Sequence, residues 1–133
     1  MVKKRVLVVD DDINLSRLSA AILEGSSRYE AMIVNDSTRA ISAARQFKPD
    51  AMLLDVDMPG LGGGDIARYA AENSQLRNVP VLFLTGLLTH DDTGSGAIES
   101  GGQQFLAKPV DPEALLACMD SLFSPGALGR SEL

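Results

Sequence analysis

Five short apolar runs, each closed by polar or turn residues, alternate with stretches whose apolar positions recur every three or four residues. The runs occupy residues 5–9, 29–34, 51–56, 81–84 and 104–107. The run at 5–9 is continuous rather than alternating in polarity, the pattern of a strand buried on both faces, and the run at 51–56, short, apolar and bounded by turn residues, also reads as buried. The stretches between the five runs predict helices. Leu15, Leu18 and Ile22 form the first stripe, behind Asp12 as a cap and ended by Gly25. Ala40, Ile41, Ala44 and Phe47 form the second, after the turn Asn35-Asp36-Ser37 and before Lys48-Pro49-Asp50. A glycine-rich loop at 61–64 precedes a short helix over 66–73, with Ile66, Tyr69 and Ala70 on one side.

The fourth helix is expected over 90–100, frayed because it holds Gly94 and Gly96, each unfavourable by about 1 kcal/mol against alanine. Gly101-Gly102 ends it. The fifth helix starts firmly: Asp111 as cap, Pro112 in the first position, Glu113 in the first turn. Leu115, Leu116, Met119, Leu122 and Phe123 give its apolar face, and Pro125-Gly126 stops it. Five alternations of strand and helix predict one α/β domain over 1–123: a doubly wound parallel sheet with helices on both faces. Residues 124–133 read as a tail or a truncated linker.

In such a sheet every strand ends on the same edge, where ligands bind. Asp10 and Asp11 close the first run, Asp55 the third, Thr85 the fourth and Lys108 the fifth. The topology therefore gathers three carboxylates, a hydroxyl and an ammonium at one edge.

Composition narrows the chemistry. The 133 residues are 45% hydrophobic and 23% charged, as in globular domains, with a net charge of −6 that disfavours a nucleic-acid backbone as direct partner. No apolar run approaches the roughly 20 residues that span a membrane, and 6–9 is too short for a signal-peptide core, so a cytoplasmic protein is expected. A single cysteine, Cys118, excludes an internal disulfide and reads as a packed thiol. One Cys and one His exclude a zinc site built from thiolates and imidazoles. His90 reads as an exposed loop residue. Three gathered carboxylates repel one another unless protonated or bridged by a cation, and a set of hard oxygen ligands favours Mg²⁺. With a cation bound, Asp55 is a candidate nucleophile toward phosphorus, with Lys108 and Thr85 as donors to phosphoryl oxygens. Each residue also has an ordinary reading: Asp10–Asp12 as spare acids of a helix cap, Lys108 as surface, Thr85 as a strand-end β-former, Phe105 as a core aromatic.

Four segments, Val6-Leu-Val-Val-Asp-Asp-Asp12, Asp50-Ala-Met-Leu-Leu-Asp-Val-Asp-Met-Pro-Gly60, Val79-Pro-Val-Leu-Phe-Leu-Thr85 and Gly101-Gly-Gln-Gln-Phe-Leu-Ala-Lys-Pro109, resemble in order and spacing the receiver domain of two-component response regulators. The resemblance runs from about Lys4 to Phe123. It implies a five-stranded flavodoxin-like sheet of order 2-1-3-4-5 and an aspartyl-phosphate switch. On that basis Asp55 is the phospho-acceptor and also a Mg²⁺ ligand, Asp11 a direct Mg²⁺ ligand, Asp10 its water-mediated partner and the backbone carbonyl of Asp57 the third protein ligand. Thr85 and Lys108 bind the phosphoryl group, Phe105 is the switch aromatic, and Lys108–Pro109 is a cis peptide bond. The implied partners are a sensor histidine kinase or histidine phosphotransfer protein upstream, and an effector protein or an output domain downstream, with a homodimer possible.

The chain departs from the usual pattern at Gly86, where Ala or Ser is common, at Gly62, where Asp is common, and at Gly94 and Gly96 in the fourth helix. Asp57 and Leu87 flank the mouth of the site and bear on phosphoryl lifetime. Two other readings compete: a receiver-fold scaffold that works without phosphorylation, and an enzyme, since Asp55-Val-Asp57 also resembles the nucleophile motif of haloacid-dehalogenase-type phosphatases. That family carries its nucleophile on the first strand and needs a later acidic pair, whereas here the acidic pair comes first.

Overall fold

A computed structural model describes residues 2–86, 97–100 and 103–123, with the backbone alone considered for 97–100. The strands are β1 (Lys4–Val9), β2 (Tyr29–Val34), β3 (Ala51–Asp55), β4 (Val81–Thr85), β5 (Ala97–Ser100) and β6 (Gln103–Ala107). The helices among the described residues are α1 (Ile13–Gly25), α2 (Ala40–Phe47), α3 (Gly63–Ala71) and α4 (Pro112–Leu122). The sheet order is β2-β1-β3-β4-β6-β5. Its first five members are parallel, in the order expected for the five apolar runs.

From Val6 onward β1, like β3 and β4, is apolar almost throughout because both faces of the sheet are covered there, whereas the edge strand β2 leaves Glu30 and Met32 exposed. Val6, Val8, Leu53, Leu82, Leu84 and Leu106 face α1 and α4, packing with Leu23, Leu115 and Met119. Leu7, Val9, Met52, Leu54 and Phe83 face α2 and α3, packing with Ala40, Ala44, Ile66 and Ala70. The caps act as expected: Asp12 accepts from the Leu15 amide at 3.0 Å, and Asp111 from that of Ala114 at 2.9 Å. Cys118 is buried, and burial pushes its thiol pKa up.

Four expectations are corrected. Residues 97–100 form a strand antiparallel to β6, not the end of a helix. Residues 90–96 of that expected helix, with His90, Gly94 and Gly96, lie outside the described residues, as do Leu87 and 124–133. In the sequence, the two-glycine spacing between residues 100 and 103 is a hairpin signal that competes with a helix end. Leu18 is 48% exposed; α1 instead buries Ser16, Ser19, Ala20 and Leu23, a stripe of mostly small side chains. Tyr69 is 43% exposed, and the Arg68 guanidinium lies 5.3 Å from its ring centre. Finally, α3 starts at Gly63, inside the expected loop. A Cβ on Gly63 would sit 2.5 Å from the Asp55 carbonyl oxygen, so only glycine allows the first turn of α3 this close to the end of β3.

Candidate functional site

The site lies where β1, β3, β4 and β6 end. The ladders carry on just past the strands and hold these ends in register. The Asp10 amide donates to Val34 O at 3.1 Å, Val56 N to Leu84 O at 2.9 Å, and Lys108 N to Thr85 O at 2.9 Å. Asp10, Asp55 and Thr85 are buried; Asp11 and Asp57 are exposed. One carboxylate oxygen from each of Asp10, Asp11 and Asp55 falls within 4.8 Å of the others. The Lys108 ammonium reaches Asp55 Oδ1 at 2.9 Å, and the Asp57 amide donates to the same oxygen at 3.4 Å. The Lys108–Pro109 peptide bond is cis. Phe105 is half-buried, with its ring stacked on Phe83 at a centroid distance of 5.1 Å.

Electrostatics follow from burial. Asp10 is 1% exposed, and burial pushes its carboxyl from 3.8 up to about 6. The Asp12 amide, donating at 3.0 Å, opposes this, the charge of Asp55 adds to it, and Lys108 opposes it again. Burial works against the charge on Lys108, but its hydrogen bond to Asp55 and the attraction of Asp10, Asp55 and Asp11 outweigh that and hold its pKa above the usual lysine value. Asp10 Oδ2 is buried with no hydrogen-bond partner among the described residues. An unsatisfied buried carboxylate oxygen beside two other carboxylates is a costly arrangement without a counter-cation. The donor set fits a hard divalent cation: oxygen ligands only, one of them on exposed Asp11.

Sequence reasoning missed the residues that hold these loops. Asn35 Nδ2 donates to Asp10 O at 2.8 Å and to Ser16 Oγ at 2.9 Å. Ser37 Oγ donates to Pro59 O and accepts from Leu61 N, both at 3.2 Å. Gly60, in the turn between these two partners, has a φ of +85°, which favours glycine. Asn35 and Ser37 read in sequence as turn and cap. The only signal of more was two hydrogen-bonding side chains directly behind a strand end.

Comparison with known proteins agrees with this geometry. Residues 6–120 match the family described as response regulator receiver domain. The chain is 35% identical over 115 residues to the DNA-binding response regulator MtrA of Mycobacterium tuberculosis, covering 86% of this chain and 48% of MtrA. It is 37% identical over 119 residues to the response regulator PleD of Caulobacter vibrioides, covering 89% of this chain and 26% of PleD. The chain thus spans about half the length of MtrA and a quarter of PleD. The chemotaxis protein CheY4 of Vibrio cholerae superposes with a TM-score of 0.78 at 27% identity, covering 92% of this chain and all of that one. Receivers of this family are signalling domains of two-component systems that work with kinases and output domains, and they bind Mg²⁺ at an aspartate cluster. No described helix is long and apolar enough to cross a membrane. The chain belongs to the response regulator receiver domain family.

Proposed function

We propose that this receiver is a phosphorylation switch with Asp55 as its acceptor. The observation that carries the reading is a buried carboxylate held 2.9 Å from an ammonium, with two further carboxylates close by on a neighbouring strand end. Asp11 and Asp55 would hold Mg²⁺ directly, Asp10 through water, and the Asp57 backbone carbonyl would be the third direct ligand. When bound, Mg²⁺ supplies positive charge against the phosphoryl oxygens. An oxygen of Asp55 forms the new O–P bond as the P–N bond of a partner's phosphohistidine breaks; the imidazole leaves with the electron pair and takes up a proton. Lys108, in contact with Asp55, would donate to the phosphoryl oxygens, and the Thr85 hydroxyl would do the same from the adjacent strand. Water later attacks phosphorus, the bond to Asp55 breaks, and carboxylate and inorganic phosphate are restored. The chemistry is the domain's own cycle rather than turnover of a separate substrate.

Movement of Thr85 toward the phosphoryl group would favour a second position of the Phe105 ring, off Phe83, and so change partner affinity at the surface near β6 and α4. The partners are a histidine kinase or phosphotransfer protein in the cytoplasm, then an effector or output domain; self-association is a further route for the signal. The acidic balance of this segment speaks against direct nucleic-acid binding by it, although MtrA is named as DNA-binding over a longer chain.

Intact mass after incubation with Mg²⁺ and acetyl phosphate or phosphoramidate tests the reading. One base-labile phosphoryl adduct is expected, absent from Asp55→Asn and without Mg²⁺. No adduct, together with no amide shifts near Thr85 and Phe105 on adding beryllofluoride, would sink it in favour of a phosphorylation-independent scaffold.

A further inference from the structure

The turn behind β2 is tied by side chains to both loops that carry the acidic cluster. At its first residue, Asn35 continues the β1–β2 ladder where the backbone stops. Val34 O accepts from the Asp10 amide, and the Asn35 side chain then donates to the Asp10 carbonyl. Only Nδ2 can do this, since a carbonyl oxygen accepts and does not donate. The same amide donates to Ser16 Oγ, whose hydroxyl donates to Ile13 O at 2.9 Å. The segment from Asp10 into the first turn of α1, which carries Asp11 and Asp12, is thereby pinned at both ends.

Two residues on, Ser37 is buried at 4% exposure and grips the other loop. Its hydroxyl donates to Pro59 O and accepts from Leu61 N, bracketing Gly60 in the loop that leaves Asp55 and Asp57. Asp36 between them turns away, accepting from the amide and hydroxyl of Thr38 as a helix cap. Alternate residues of one short turn thus reach two different loops.

The geometry points to Asn35 and Ser37 as positioning residues that together set the spacing between the Asp10–Asp11 oxygens and the Asp55–Asp57 oxygens for a divalent cation. The inference rests on the proposed Mg²⁺ site. Mg²⁺ demands near-ideal octahedral geometry and dehydrates reluctantly, so ligands on two loops that drift apart lose affinity steeply. Partners that orient ligands commonly alter metal affinity by roughly 10–100-fold when removed. Neither residue is among the proposed ligands, and neither carries charge, so their effect is geometric.

The test is isothermal titration of Mg²⁺ into the whole chain at pH 7.5, for wild type, Asn35→Ala, Ser37→Ala and Ser37→Thr. Each alanine variant is expected to weaken binding roughly tenfold, and Ser37→Thr, which keeps the hydroxyl, to bind as wild type does. Melting temperature against Mg²⁺ concentration on the same variants yields the affinity by linkage even where the metal-free fold is weakened. Alanine variants that melt lower without Mg²⁺ but bind it like wild type would overturn the inference and leave both side chains as ordinary turn fasteners. Wild type failing to bind Mg²⁺ at all, or Asp11→Asn binding it undiminished, would instead overturn the site reading, and the positioning role with it.

Discussion

Lys108 and Asp55 form an ion pair at 2.9 Å in which the carboxylate is 2% exposed and the ammonium keeps one side toward solvent. The pair joins the ends of β3 and β6 across β4, with Lys108 N bound to Thr85 O on the way. Removing the cation leaves a buried charge uncompensated. Lys108→Ala is expected to destabilise the metal-free protein by about 1–3 kcal/mol at pH 7.5, less than a fully buried pair because water screens the lysine. Mg²⁺ should recover part of the loss. Urea unfolding with and without Mg²⁺ measures both, and unchanged metal-free stability would mean that water already solvates Asp55.

Asp10 makes stability depend on pH. Its folded-state pKa, raised by burial to about 6, lies above the ordinary 3.8. The folded state therefore binds this proton more tightly than the unfolded chain does. The resulting stability is present in full below about pH 4 and is lost as pH rises through 6, up to roughly 3 kcal/mol. Calorimetry in EDTA from pH 5 to 7.5 should show wild type losing stability relative to Asp10→Asn, which keeps an acceptor for the Asp12 amide without the charge. Parallel pH profiles for the two proteins would refute the assignment. With Mg²⁺ present the trend should reverse, because the cation requires the deprotonated form.

Gly63 and Gly64 are neighbours with opposite surroundings. A Cβ at Gly63 meets the Asp55 carbonyl oxygen at 2.5 Å, whereas one at Gly64 meets nothing within 4 Å. Gly63→Ala should lower stability by about 2 kcal/mol or more, through the shift it forces at the end of β3. Gly64→Ala should leave stability unchanged or raise it by about 0.5 kcal/mol. Equal effects of the two substitutions in thermal melts would count against the close approach of α3.

Ser19 Oγ is buried in α1 with no hydrogen-bond partner among the described residues. Alanine removes an unsatisfied polar atom and improves helix propensity at small volume cost. Ser19→Ala is expected to stabilise the protein by about 0.5–1.5 kcal/mol. A loss of stability in chemical denaturation would reveal a bound water or partner for that hydroxyl.

The pattern of apolar runs was enough to gather Asp10, Asp11, Asp55, Thr85 and Lys108, because in a parallel sheet the tip of a run is also a place in space. Asn35, Ser37 and Gly63 were not legible in this way. Their importance lies in a carbonyl oxygen or amide belonging to a loop distant in sequence, and no periodicity encodes which loop a turn side chain reaches. Leu18 was misplaced for a related reason. Apolarity alone marked it as core, yet the buried face of α1 carries Ser16, Ser19, Ala20 and Leu23, mostly small side chains. For the strand at 97–100, local glycine spacing pointed one way and the wider strand–helix alternation the other.

By itself, then, the sequence determined the strand ends, the caps and the chemical types brought to one edge, since burial period and cap chemistry act over a few residues. The tertiary structure decided which oxygen faces Lys108, that burial raises the pKa of Asp10, and which turn side chains brace the two acidic loops. Those depend on distances of about 3 Å between elements, set by packing of the whole sheet rather than by any local rule.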